Sequence, residues 1–135
     1  MRATREQTIA DKILKMERAA LDRWGKGDPD GYLEISAPDM TYFDPFLENR
    51  LDSLKEVKEW LEGVRGKIKI ERDEILDPRV QIVGDAAILT MRFVSEGSEG
   101  TAQWNCTEVY RRSSDGWKII HTHWSYTKPE PPTAA

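Results

Sequence analysis

The side chains able to move protons or hold a polar ligand fall in four short stretches of the sequence: Tyr42 with Asp44, Thr90 with Arg92, Trp104 through Tyr110, and His121 with His123. Within each stretch they recur at every second position, the period at which residues of a β-strand share a face. Laid on three neighbouring strands, Thr90 and Arg92, then Trp104, Cys106, Glu108 and Tyr110, then His121 and His123 are expected to line one concave surface, with Tyr42 and Asp44 near its rim. A carboxylate desolvated beside Trp, or paired with Arg, has its pKa moved toward a proton-transfer role. The expected chemistry is abstraction or relay of a proton on a small carbonyl or hydroxylated compound. Asp44, His121 or His123 would act as base and Glu108 or Tyr110 as hydrogen-bond donor, with Tyr42, Thr90, Arg92, Trp104 and Tyr110 contacting the ligand.

Each residue also has a plainer role. His121 and His123 can be structural hydrogen-bonders on a strand. As metal ligands they lack company, because zinc takes three or four ligands and only the distant Glu108 or Asp44 could join them, so no metal and no cofactor are expected. Arg92 and Glu108 can form an interior ion pair, and Asp44 can cap the loop before the next helix by accepting from nearby backbone amides. Trp104, Trp117 and Trp124 suit core and interface packing, Cys106 an inert buried thiol, and Trp24 and Trp60 helix faces without chemistry.

These residues need elements to position them. Ile9, Ile13, Met16, Ala20 and Trp24 recur at spacings of three and four, which predicts an amphipathic helix opened by a Thr4/Gln7 capping box and ended by Gly25 and Gly27. Asp28-Pro29 predicts a second, short helix through about Ile35 that Pro38 stops. Met40 to Phe43 reads as a strand, with Pro45 holding Asp44 extended at its end. Ser53 and Glu56 form a second capping box for a third helix with Leu54, Val57, Leu61 and Val64 on one face, closed by Gly66. Strands are then expected at Ile68 and Ile70, Val80 to Val83, Ala86 to Val94, Thr101 to Arg112 and Trp117 to Tyr126. Helices first and antiparallel strands after predict an α+β domain with its helices on one face of the sheet. In the last strand Trp117, Ile119, His121, His123 and Ser125 fall on one face, and Ile120, Thr122, Trp124 and Tyr126 on the other. Neither set suits water, so the uncovered face is expected to bury itself in a homodimer.

At 135 residues the chain has the length of one domain, expected over residues 1–128, with a flexible Pro-rich tail at 129–135. Its 24 acidic and 20 basic side chains are mixed along the chain, without a basic run that could neutralise phosphates, so nucleic acid is not expected as a partner. One cysteine excludes an intrachain disulfide and suits a reducing cytoplasm. No apolar stretch approaches the roughly 20 residues of a membrane span, and the first residues lack the apolar core of a secretion signal.

The segment Thr107-Glu108-Val109-Tyr110-Arg111-Arg112, the Ser-Ser-Asp-Gly turn and WKIIHTHWSY resemble the end of nuclear transport factor 2-like domains. The Gly27-Asp28 break, the strand end Phe43-Asp44-Pro45 and the Asp85-Ala86-Ala87 strand containing Arg92 extend the likeness over nearly the whole chain. That superfamily includes ketosteroid isomerases, SnoaL-like polyketide cyclases and the association domain of calcium/calmodulin-dependent kinase. The resemblance implies a cone-like fold, N-terminal helices packed on a strongly curved antiparallel sheet, around a small-molecule pocket. Asp44 looks like the isomerases' general base and Glu108 like their protonated acid, while the position of their essential Tyr is Ala20 here. The kinase association domains resemble this chain in the Phe-acid-Pro strand end, in Arg92 and in the closing His-X-His-X-Ser; the position of a second pocket arginine is Glu108. The resemblance leaves three functions open: an isomerase, cyclase or dehydratase using carboxylate or His proton transfer, a non-catalytic binder, and an association domain that oligomerises.

Overall fold

The computed structural model describes residues 4–127. The tail expected at 129–135 lies outside the described residues.

Helix α1 (Arg5–Trp24) begins as expected: the Gln7 N–H donates to Thr4 Oγ1 at 3.0 Å and the Thr4 N–H to Gln7 Oε1 at 3.1 Å. It buries Ile13, Glu17, Ala20 and Leu21. Helix α2 (Asp30–Leu33) is a single turn, because the chain becomes extended at Ser36, two residues before Pro38. Strand β1 (Ser36–Phe43) therefore contains the proline expected to precede it. It lies at the sheet edge, where a missing N–H costs no ladder bond. In helix α3 (Leu54–Glu62), Val57 and Leu61 face the core; Ser53 Oγ accepts the Glu56 N–H at 3.1 Å, while the Glu56 carboxylate accepts from Asp52 N rather than from Ser53.

Gly27 joins α1 to α2 at φ 85°, and a Cβ there would sit 2.9 Å from Gly66 Cα. The same approach carries a hydrogen bond from Gly66 N to Gly27 O at 2.8 Å, tying the α1–α2 corner to the segment after α3. Gly27→Ala should therefore cost about 1–3 kcal/mol, from the left-handed backbone and the backbone clash together, read as a lower urea midpoint at unchanged slope.

Four long strands follow: β2 (Arg72–Val83), β3 (Ala86–Gly97), β4 (Gly100–Ser113) and β5 (Gly116–Tyr126). Ile68 and Ile70, expected in a strand, are irregular, and β2 begins earlier than Val80. Its first half, with Glu74, Asp77, Pro78 and Arg79, does not read as a strand because it is an edge strand broken by a bulge between Leu76 and Arg79, where Asp77 has φ 49°. The order is β1-β5-β4-β3-β2. Hairpins make β2 to β5 antiparallel, but β1 pairs parallel with β5, so the sheet is mixed rather than wholly antiparallel. The long crossover through α3 and the three hairpins is what allows that parallel pairing.

One irregularity decides which side chains share a face. Val109 pairs with His121 and Tyr110 with Ile119, so Ile120 is an extra residue in β5. The bulge reverses the alternation beyond it. Trp117 and Ile119 point into the core, as do Thr122 and Trp124, whereas His121 and His123 turn outward. The face expected to combine Trp117, Ile119, His121, His123 and Ser125 therefore does not exist.

Candidate functional site

The helices and the inner face of the sheet enclose a cavity of about 580 Å³. Asp44 stands at its wall, positioned by the end of β1 and by Pro45. Its Oδ2 accepts from the Tyr42 hydroxyl at 3.0 Å and from Trp60 Nε1 at 3.0 Å, and its Oδ1 from the Phe46 N–H at 2.8 Å. Asp44 thus both caps its loop and lines the cavity. Trp60, to which sequence reasoning gave no chemistry, supplies one of its donors from α3. Burial first, and the Asp44 charge second, raise the Tyr42 hydroxyl well above its usual value, so it remains a donor. Trp24, Tyr32, Phe93, Trp104 and Trp124 contribute further aromatic wall. Of the expected ligand contacts, Tyr42 and Trp104 line this cavity.

Behind the wall lies a carboxyl pair. Glu17 of α1 and Glu108 of β4 are both fully buried, and with the Cys106 sulfur they place one ligand atom each within 4.8 Å of one another. Glu17 Oε1 accepts from the Tyr110 hydroxyl at 2.8 Å, and Oε2 accepts a short hydrogen bond from Tyr32. Glu108 Oε2 accepts from Thr122 at 2.9 Å, and its Oε1 receives no donor. Burial, then the neighbouring Glu17 charge, lift Glu108 well above the ordinary carboxylate value, against a smaller opposing pull from Thr122. Glu108 therefore keeps its proton to higher pH than an ordinary carboxyl does, on the side facing Glu17. Burial and these carboxyls also raise the Cys106 thiol and the Tyr32 and Tyr110 hydroxyls. Glu17, Cys106 and Glu108 are close enough to hold a metal, but two tyrosine hydroxyls occupy both oxygens of Glu17 and the thiol keeps its proton; the pocket suits a shared proton better than a cation. Tyr110, expected to touch ligand, lies behind the wall, whereas the Tyr32 and Thr122 hydroxyls line the cavity and reach back to the carboxyls.

Glu17 was invisible to the sequence reading, yet a signal existed. The buried positions Ile13, Glu17, Ala20 and Leu21 follow helical spacing, so a carboxylate stands inside the apolar stripe.

The remaining candidates occupy the outer face. Thr90 pairs with Thr107 and Arg92 with Asn105, while Glu108 pairs with Leu89 on the inner side. Arg92 and Glu108 consequently form no ion pair; Arg92 donates to Gln103 Oε1 at 3.1 Å and its Nε is buried without a partner. His121 Nδ1 lies 2.7 Å from Thr41 Oγ1, and Phe43 packs on both imidazoles. Burial, then the charges of His123 and Arg50, lower the His121 pKa below 6.5. The single concave surface expected of these strands is thus two surfaces, with Thr90, Arg92, His121 and His123 away from Asp44 and Glu108.

Two helices and a one-turn helix set against one face of a five-stranded mixed sheet, closing on an internal cavity, define a nuclear transport factor 2-like domain. The profile of the calcium/calmodulin dependent protein kinase II association domain matches residues 9–128, and the chain belongs to that family. It is 30% identical over 120 residues to the Drosophila melanogaster calcium/calmodulin-dependent protein kinase type II alpha chain, covering 83% of this chain and 23% of that relative. A Parabacteroides distasonis structure, assigned provisionally to the ketosteroid isomerases, is 38% identical, with a TM-score of 0.82 over 90% of this chain and 89% of the other. The hub of the S. rosetta kinase is 25% identical with a TM-score of 0.72, covering 94% of this chain and 100% of the hub. Among the described residues no helix is long and apolar enough to cross a membrane.

Proposed function

We propose that this chain binds a small molecule in the inner cavity, with Asp44 as its charged contact and the Tyr32 hydroxyl, whose proton is given to Glu17, as a hydrogen-bond acceptor toward a ligand donor. The observation that carries this reading is the joining of a volume of about 580 Å³ to two fixed polar groups, a carboxylate held by three donors and a hydroxyl oxygen whose proton is given to Glu17. Volumes of about 300–1,000 Å³ with few, fixed polar groups are the ordinary form of ligand sites. Asp44 on the cavity wall is the group that would take a proton from such a ligand, the step common to isomerase, cyclase and dehydratase chemistry. His121 and His123 take no part, because they face away. Native mass spectrometry of protein purified gently from its own host tests the proposal. A reproducible small-molecule mass at one per chain supports it; a ligand-free ring of many subunits moves the function to association.

The second reading, self-association, draws on the family and on the outer sheet face, against which no described helix packs. There Ile88 pairs with Val109 and Val109 with His121, beside Phe43, leaving half-buried apolar side chains uncovered. Val109→Glu is expected to reduce the assembly to smaller species in light scattering while shifting the melting temperature by only a few degrees. An unchanged assembly would move the interface elsewhere.

A further inference from the structure

The cavity has a sign. Its lining includes five charged side chains, and four of them, Lys67, Lys69, Glu96 and Glu99, are exposed and solvated. Asp44 alone is half-buried, and its three donors are neutral: a phenol, an indole and a backbone amide. No Lys, Arg or His among the described residues forms an ion pair with it, although ten ion pairs join other carboxylates to arginines. Behind the wall, the Tyr32 and Thr122 hydroxyls give their protons to Glu17 and Glu108, leaving only acceptor lone pairs for the cavity they line. Among the described residues no arginine lines the space. The walls are rich in indole and phenol rings, whose faces carry negative potential and attract cations. All three sources favour positive charge and oppose an anion.

Resting on the reading that the cavity takes a small molecule, we infer that its ligand is an organic cation, a protonated or quaternary amine with an apolar body, whose charge sits against Asp44 and whose body lies among Trp60, Trp104 and Trp124. The ligand then supplies the counter-charge to Asp44 that the protein itself withholds.

Three probes of similar size separate charge from shape: phenyltrimethylammonium, its uncharged carbon isostere tert-butylbenzene, and the anion benzenesulfonate, titrated against the full chain by tryptophan fluorescence and calorimetry. The cation is expected to bind at least tenfold more tightly than tert-butylbenzene, and benzenesulfonate least. Asp44→Asn, which keeps an acceptor oxygen for Tyr42 and Trp60, should abolish the preference for the cation while tert-butylbenzene still binds, which also verifies that the variant is folded. Glu96→Gln at the exposed rim should change neither probe. Equal affinity for the two isosteres, or a cation preference that survives Asp44→Asn, overturns the cation assignment and leaves the cavity reading standing. Binding of none of the three overturns both.

Discussion

Glu17→Ala is expected to lower the stability of the domain by about 3–5 kcal/mol, the range for breaking a buried, hydrogen-bonded charge network. The side chain is fully buried and accepts from both Tyr32 and Tyr110, so its removal strands two interior hydroxyls at about 1–3 kcal/mol each and opens a void beside Ile13 and Leu21. In a chain of this size that corresponds to a fall in melting temperature of roughly 10–20 °C. Glu17→Gln, which retains one acceptor oxygen, should lose less than half as much. Replacing the whole network with Glu17→Leu, Tyr32→Phe and Tyr110→Phe should recover much of the loss, because no polar group then remains without a partner. A triple variant as unstable as Glu17→Ala would assign the cost to the void and not to the hydroxyls.

That network also marks where the sequence was informative and where it was not. The element types were legible because they depend on local signals: the Thr4/Gln7 capping box, the helical spacing of Val57 and Leu61, the turns at Gly84-Asp85 and Ser114-Asp115. The long polar edge strand β2 was not, since an edge strand needs no apolar alternation and Asp77-Pro78 looks like a turn when it is a bulge. The site failed at a different level. Alternation fixes which residues of one strand share a face, but which face of the next strand they join depends on register, a pairing property. Thr90 and Arg92 were placed with Glu108 on that missing information, and the extra Ile120 sent His121 and His123 outward. Asp44 and Tyr42 sit where expected because a strand end followed by proline is a local feature. Glu17 escaped because a carboxylate in an apolar stripe makes sense only once its partners on β4 and α2 are known.

The consequence of burying two carboxyls together appears in pH. Glu108 has its pKa raised above the ordinary 4.5, with burial and the Glu17 charge as the causes, so between that value and its folded pKa the native state binds a proton that the unfolded chain has lost. Stability from this group is fully present below about pH 4.5 and falls as pH rises, at up to about 1.4 kcal/mol per pH unit for one proton, until the folded pKa is passed. Glu108→Gln removes the titration while keeping its shape: the amide oxygen accepts from Thr122 and the amide nitrogen donates toward Glu17, as the protonated acid does. The variant is expected to match the wild type in mildly acidic solution and to exceed it increasingly from neutral to alkaline pH, read as diverging urea midpoints across a pH series. Glu108→Leu, which offers Thr122 no acceptor and Glu17 no donor, should instead be less stable than the wild type in mild acid. Parallel pH profiles for wild type and Glu108→Gln would mean that Glu108 carries no proton toward Glu17.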